Sequence, residues 1–159
     1  MKKSVRFLAM ALALIAAGAV SGSLYLSAPA YARSPDSAAA KIMRLAERGD
    51  VNAQAELGWI YSIGRGVPQD YYQAAKWYRR AAERGHGGAQ FALGLLYNKG
   101  EGVRKNLILS YMWLNLSAAQ AGGDVRDFKV RIRDSIASKM TVAQVEEAQH
   151  LALNWYRAQ

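Results

Sequence analysis

The sequence predicts an all-α fold: a short α-solenoid of about seven helices, built as stacked helix–turn–helix pairs. Three observations lead there. The chain repeats itself at an offset of 36 residues. Ala46-Glu47-Arg48-Gly49 matches Ala82-Glu83-Arg84-Gly85, Ala53-Gln54 matches Ala89-Gln90, and Leu57-Gly58 matches Leu93-Gly94. Tyr61 then matches Tyr97, Gly64-x-Gly66-Val67 matches Gly100-x-Gly102-Val103, and Trp77 matches Trp113. Within each copy, apolar residues recur three and four apart, the period of an amphipathic helix. Capping and turn residues fall between these runs, and no run makes a convincing strand. A repeat of this period is one supersecondary unit that cannot bury its own apolar face, so neighbouring copies must stack.

The first 32 residues stand apart from the repeats. Lys2, Lys3 and Arg6 precede an almost wholly apolar run from Phe7 to Val20, and Ala30 and Ala32 form an A-x-A box. This is the pattern of a signal peptide over residues 1–32, cleaved between Ala32 and Arg33. The alternative is an inner-membrane anchor over residues 7–26, long enough to span a bilayer. Residues 33–159 then form the solenoid, with repeats at about 50–85 and 86–121, a half-repeat before them and closing helices after them.

In the half-repeat, Ser34 is placed to cap a helix and Pro35 to open it. A second helix runs from about Val51 to Ile63, with Ala53, Leu57 and Tyr61 on one stripe. Gly58 lies beside that stripe. A glycine there costs about 1 kcal/mol against alanine, which points to the close approach of another helix. Leucine at Gly58 or Gly94 should therefore overpack the contact. Alanine should be milder, and a gain if there is room. Gly64 ends the helix, Gly66 and Pro68 keep the loop tight, and Asp70 caps the next helix. Its buried face is Ala74, Trp77, Tyr78 and Ala81, and Gly85 closes it.

The second copy follows the same plan, with Leu93, Gly94 and Tyr97 on its first helix and Gly100 and Gly102 in its loop. Asn106 is the cap, and Ser110, Trp113, Leu114 and Ser117 form the inner face. Asp124 is placed to cap a helix bearing Val125, Phe128, Ile132 and Ile136. Thr141 with Gln144 makes a capping box for a last helix, to about Tyr156.

The pattern A-x-x-x-L-G-x-x-Y-x-x-G-x-G-V-x-x-D, followed by A-x-x-W-Y-x-x-A-A-x-x-G, resembles the signature of the Sel-like repeat (SLR) family, relatives of the tetratricopeptide repeat. Ala53, Leu57, Gly58, Tyr61, Gly64, Gly66, Val67, Asp70, Ala74, Trp77, Tyr78, Ala81, Ala82 and Gly85 fit it throughout. The second copy departs at Asn106, at Ser110 and at its end, where Ala121 takes the glycine position and Gly122 comes one residue late. The tail from Ser138 to Trp155 is similar to the closing helices of many bacterial members. The resemblance covers about residues 36–157. It implies an α-solenoid that binds proteins or peptides, and exported bacterial members are associated with envelope regulation, secretion and host contact.

Candidate chemistry is sparse. The chain has no cysteine, so it offers neither a thiol nucleophile nor a thiolate metal site. His86 sits in the turn GHGG and reads as an exposed turn residue. Glu146 and His150 are four apart on the last helix, but two ligands make no metal centre. Gly64-x-Gly66 and Gly100-x-Gly102 follow helices and lack the G-K-[ST] of a phosphate loop. No catalytic residue, metal or cofactor is assigned. Some exported family members are linked to β-lactam or cell-wall chemistry, but those are rich in disulfides, and this chain also lacks Ser-x-x-Lys.

The binding surface is read from position. If the first helix of each pair lines the concave side, as in tetratricopeptide-type solenoids, then Asn52, Trp59 and Ser62 face a groove, with Phe91, Leu95 and Asn98 from the next copy. An apolar floor with asparagine amides suits a peptide. The alternative packs Trp59 and Leu95 against neighbouring elements. The formal charge of +9 falls to +6 without residues 1–32, which hold three basic side chains and no acid. Such a balance allows weak contact with anionic envelope polymers or lipids, and export argues against nucleic acid. Another candidate surface is the basic helix with Arg126, Lys129 and Arg133. The expectation is a monomeric, non-enzymatic adaptor, periplasmic or secreted, with a protein or peptide partner. The rivals are a cell-wall-related hydrolase and a basic protein on anionic envelope material.

Overall fold

A computed structural model describes residues 38–158. Within them the chain forms seven helices and no strand: α1 (Ala38–Glu47), α2 (Val51–Ile63), α3 (Tyr71–Glu83), α4 (Gly87–Lys99), α5 (Leu107–Ala119), α6 (Gly123–Ala137) and α7 (Val142–Arg157). The pairs α2–α3 and α4–α5 carry the most extensive contacts, and α3 against α4 joins one pair to the next. Helix α1 packs on α2, while α6 and α7 both pack on α5. The fold is therefore an all-α solenoid, as the repeat requires. The leader over residues 1–32, the anchor alternative over 7–26 and the Ser34-Pro35 helix start lie outside the described residues.

Local chemistry sets the helix bounds. The side chain of Asp70 accepts from Gln73 N at 3.0 Å, and Asn106 accepts from Leu109 N at 3.0 Å. Each satisfies a first-turn donor that has no partner inside its helix. Gly64 and Gly100 end α2 and α4 in the left-handed conformation. Thr141 and Gln144 form the reciprocal capping box: Thr141 N donates to Gln144 Oε1 at 2.9 Å, and Gln144 N to Thr141 Oγ1 at 3.3 Å.

Two expected starts differ. Gly122, not Asp124, is the N-cap of α6, and no side chain bonds there. The extended backbone of Gly122 lets the chain enter the helix before Asp124 is reached. That carboxylate then sits in the first turn, where it still favours the positive end of the helix dipole. His86 is no idle turn residue. Its Nδ1 accepts from Ala89 N at 3.0 Å and caps α4, which requires that nitrogen to be unprotonated.

The core follows the predicted faces. Leu57, Leu93, Leu114 and Leu116 are fully buried, and Ala74, Trp77, Tyr78 and Ala81 of α3 are buried beside them. Ser110 and Ser117 are buried too, and both are satisfied: Ser110 Oγ donates to Gly94 O at 2.8 Å, and Ser117 Oγ to Gly87 O at 2.5 Å. These two hydroxyls tie α5 to α4 at both ends of the pair. Gly58 and Gly94 mark close packing. A Cβ on Gly58 would lie 2.7 Å from the Tyr78 ring, and one on Gly94 would lie 2.8 Å from Leu114 Cγ. There is no room for alanine, so the expected gain in helix propensity is not available.

The repeat is also joined by polar bonds at equivalent positions. Gln54 Nε2 donates to Ala46 O at 3.1 Å, and Gln90 Nε2 to Ala82 O at 3.2 Å. Both glutamines are buried, and each satisfies a carbonyl in the last turn of the preceding helix. Asp70 N donates to Tyr61 O and Asn106 N to Tyr97 O, each at 2.9 Å, so each loop closes back onto its own first helix. At the far end, the Trp155 ring meets Trp113 edge-on at 6.4 Å, and Ala148 and Ala152 are buried.

Candidate functional site

The six side chains singled out on the first helices do not share one environment. Asn52 is exposed on α2. Trp59 is 41% exposed, with the Arg65 guanidinium over its ring at 5.3 Å from the centroid. Ser62 is internally committed: its hydroxyl donates to Trp59 O at 2.8 Å and lies 3.5 Å from Tyr78 OH. It braces the end of α2 and has little left to offer a partner. On α4, Phe91, Leu95 and Asn98 are half-buried. Helices α2 and α4 touch, so the two sets lie on adjoining elements.

Phe91 has a neighbour that the repeat alone does not reveal. Its ring lies 5.9 Å from Phe128 of α6, and Lys129 Nζ stands 5.9 Å from its centroid. Phe128 is itself 48% exposed, so it extends the apolar surface onto α6. Its signal in the sequence was its place on the Val125–Ile136 stripe of a helix that follows the second repeat. Only Ile136 of that stripe is buried, while Val125 and Phe128 face solvent.

The basic residues of α6 are largely committed to the fold. Lys129 Nζ donates to Ser117 O at 3.2 Å, near the end of α5, and burial lowers its pKa below the ordinary lysine value. Arg133 donates to Asn115 Oδ1 at 2.9 Å, pairs with Asp134 at 2.8 Å and sits over the Tyr111 ring. Of the three cations named on this helix, Arg126 alone is exposed, while Lys129 and Arg133 are half-buried. This helix is fastened by its charges more than it displays them.

A concentration of charge lies elsewhere. Between α3 and the α4–α5 loop is a cavity of about 680 Å3, lined by Lys76 and Arg79 from α3 and by Arg104 and Lys105 from the loop. No acid lines it. The two basic pairs stand more than twenty residues apart in sequence, so neither forms a charge run, and the sequence reading passed over them. The available signal was their departure from the repeat. The positions 36 residues from Arg104 and Lys105 are Pro68 and Gln69, and those 36 residues from Lys76 and Arg79 are Met112 and Asn115. Among the described residues no three His, Cys, Asp or Glu side chains converge to hold a metal. Glu146 and His150 are both exposed on α7.

Helix pairs of this size, stacked in register with glycine-marked contacts, define a helical-repeat protein of the solenoid class. The chain belongs to the Sel1 (Sel-like) repeat family: the Sel1 repeat model matches residues 51–86 and 88–121. A Sel1 repeat protein from Oxalobacter formigenes is 39% identical, with a TM-score of 0.56 over 62% of this chain and 74% of that one. A protective antigen present in uropathogenic Escherichia coli strains, with an SLR fold, is 31% identical with a TM-score of 0.69. That likeness covers 75% of this chain but 25% of the antigen, so the chain spans about a quarter of its length. No curated protein matches the chain. Sel1 repeats are helical modules that generally mediate protein–protein interaction, and proteins built from them are generally non-catalytic adaptors. No helix among the described residues is long and apolar enough to cross a membrane.

Proposed function

We propose that the chain is a non-enzymatic adaptor of the bacterial envelope or secreted fraction, and that it holds a protein or peptide partner on the surface of its first helices. The observation that carries this reading is Trp59. A tryptophan that leaves 41% of its surface in water contributes little to the core. It is the residue type most often found as an interface anchor. Leu95, Phe91 and Phe128 supply further apolar surface. Asn52 and Asn98 make no side-chain hydrogen bond to the described residues and can bond to a partner's backbone.

Truncating an anchor of this kind commonly costs about 2 kcal/mol or more of binding. Trp59→Ala is therefore expected to weaken capture of the partner from envelope extract at least tenfold, leaving circular dichroism and melting temperature nearly unchanged. Loss of the fold together with normal capture after refolding in the cold would assign Trp59 to the core.

The envelope part of the proposal rests on the charged start, the apolar run and the Ala30-x-Ala32 box, with support from the similarity to a protective antigen. The protein recovered from periplasm or medium is expected to begin at Arg33, as read by intact mass. A species that keeps residues 1–32 and pellets with membranes makes residues 7–26 an anchor instead.

A further inference from the structure

We infer that the basic cavity between α3 and the α4–α5 loop is a second binding site, and that it takes an acidic peptide segment in which carboxylates flank an apolar side chain. The inference rests on the reading of the chain as a protein-binding module, but not on the Trp59 surface. Four cations face one cavity. None of Lys76, Arg79, Arg104 and Lys105 has a carboxylate partner among the described residues, where the ion pairs are Lys99–Glu101 and Arg133–Asp134. Lys76, Arg104 and Lys105 make no side-chain hydrogen bond there either. Like charges gathered without a counter-charge repel one another, and a ligand that brings the counter-charge relieves this.

Arg79 is already oriented. Its Nη2 donates to Tyr97 OH at 2.8 Å, and its guanidinium lies 6.0 Å from the centre of that ring. An arginine held in place loses less freedom on binding a carboxylate and presents a planar fork that matches one. The first turn of α5 borders the same cavity through Asn106 and Leu109, which brings the positive end of the helix dipole to its edge. Each of these features favours an anion, and each comes from a different element.

Shape and lining select among anions. The volume falls in the range of about 300–1,000 Å3 usual for ligand clefts. Its lining is not all charge, for Val103, Leu109 and Ala75 contribute apolar surface. A free phosphate has no use for an apolar floor, and a flat bilayer surface cannot enter a concavity. A peptide uses both, with an apolar side chain on Val103 and Leu109 and its carboxylates on the rim. Tyr72, 67% exposed at the edge, adds a ring against which the peptide can lie. Repeat packing does not demand these charges, since the equivalent positions of the other copies are uncharged.

The test is a fluorescence titration of the full chain with a labelled, amidated peptide of repeating Leu-Asp-Glu, beside its Leu-Asn-Gln analogue and vesicles containing phosphatidylglycerol. The acidic peptide is expected to bind and the neutral analogue to bind at least tenfold more weakly. Lys76→Gln/Arg104→Gln/Lys105→Gln is expected to weaken acidic-peptide binding at least tenfold. Arg126→Gln/Arg131→Gln/Lys139→Gln, which removes the same charge elsewhere, should change it less than threefold, and Trp59→Ala should leave it unaltered. Equal losses from the two triple variants would reduce the effect to net charge and overturn the site. So would equal binding of both peptides. If the cavity triple variant abolishes vesicle binding and spares the peptide, the ligand is anionic lipid. An amide-resonance titration of the unmodified protein tests the same point without a variant. Acidic peptide should shift residues 72–79 and 102–109, and shifts confined to other helices count against the cavity.

Discussion

Gly102→Val is expected to be the most damaging single substitution in the repeats, lowering the melting temperature by about 10–20 °C or preventing folding. Two penalties coincide at this position. Gly102 has φ 66°, and holding a branched residue in the left-handed region costs about 1–3 kcal/mol. A Cβ there would also run into the carbonyl of Tyr71 and come within 2.5 Å of Tyr72 N. Those atoms belong to the backbone at the start of α3 and cannot rotate aside, so overpacking adds about 1–3 kcal/mol or more. The sum is a large share of the ~5–15 kcal/mol that stabilises a domain. Gly122→Ala is the control: nothing lies within 4 Å of its added methyl, and its melting temperature should hold within a degree or two. A Gly102→Val protein that melts like the parent would mean that the α4–α5 loop does not rest on α3.

Gly94→Leu comes next, with an expected loss of about 3 kcal/mol from overpacking between α4 and α5. Its Cβ would lie 2.8 Å from Leu114 Cγ and 3.2 Å from Ser110 O. The buried Leu114 has nowhere to retreat, and Ser110 O is backbone. Gly58→Leu meets the buried ring of Tyr78 and should behave alike. Alanine at either site gains about 1 kcal/mol of helix propensity but puts a methyl closer than 3.0 Å to its neighbour. Both alanine variants are therefore expected to be less stable than the parent in urea melts. Unchanged midpoints for both leucine variants would show that these glycines do not mark close packing.

Most of the fold was legible because its determinants are local or periodic. The 3.6-residue stripes located α2 to α5, and Asp70, Asn106 and Thr141 with Gln144 cap within four residues of themselves. What escaped depends on elements far apart in the chain. Gln54 and Gln90 were visible as a repeated pair, but that each bonds to the carbonyl of Ala46 or Ala82 emerges only once the helix pairs stack. His86 was misjudged because a histidine cap has no pattern comparable to that of Asp or Asn. Two adjacent glycines, Gly122 and Gly123, left the start of α6 open to more than one entry. The candidate site was read less well than the fold. Position on a helix put Trp59 off the core stripe but left open whether it packs inward, and it revealed neither Phe128 beside Phe91 nor that Ser62 turns inward. The basic cavity joins side chains of α3 to those of a later loop, and no window along the sequence contains both.

The placement of α6 and α7 bears on how copies of this protein can assemble. A stack of identical units is open in principle: whatever surface receives the second repeat could receive the first repeat of another molecule, and head-to-tail growth of that kind yields filaments when it does not close. Here the face of α5 that a further repeat would occupy is taken by α6 and α7, with Trp155 against Trp113 and Lys129 bonded to Ser117 O. The exposed residues of these two helices include the charged Arg126, Asp127, Arg131, Glu146 and Glu147 beside the apolar Val125, Phe128, Val142 and Leu153. Stacking another repeat on this end would require burying those charges away from water. The two helices thus close the stack from within the chain: another repeat could join at this end only by displacing them or by covering their charged side chains.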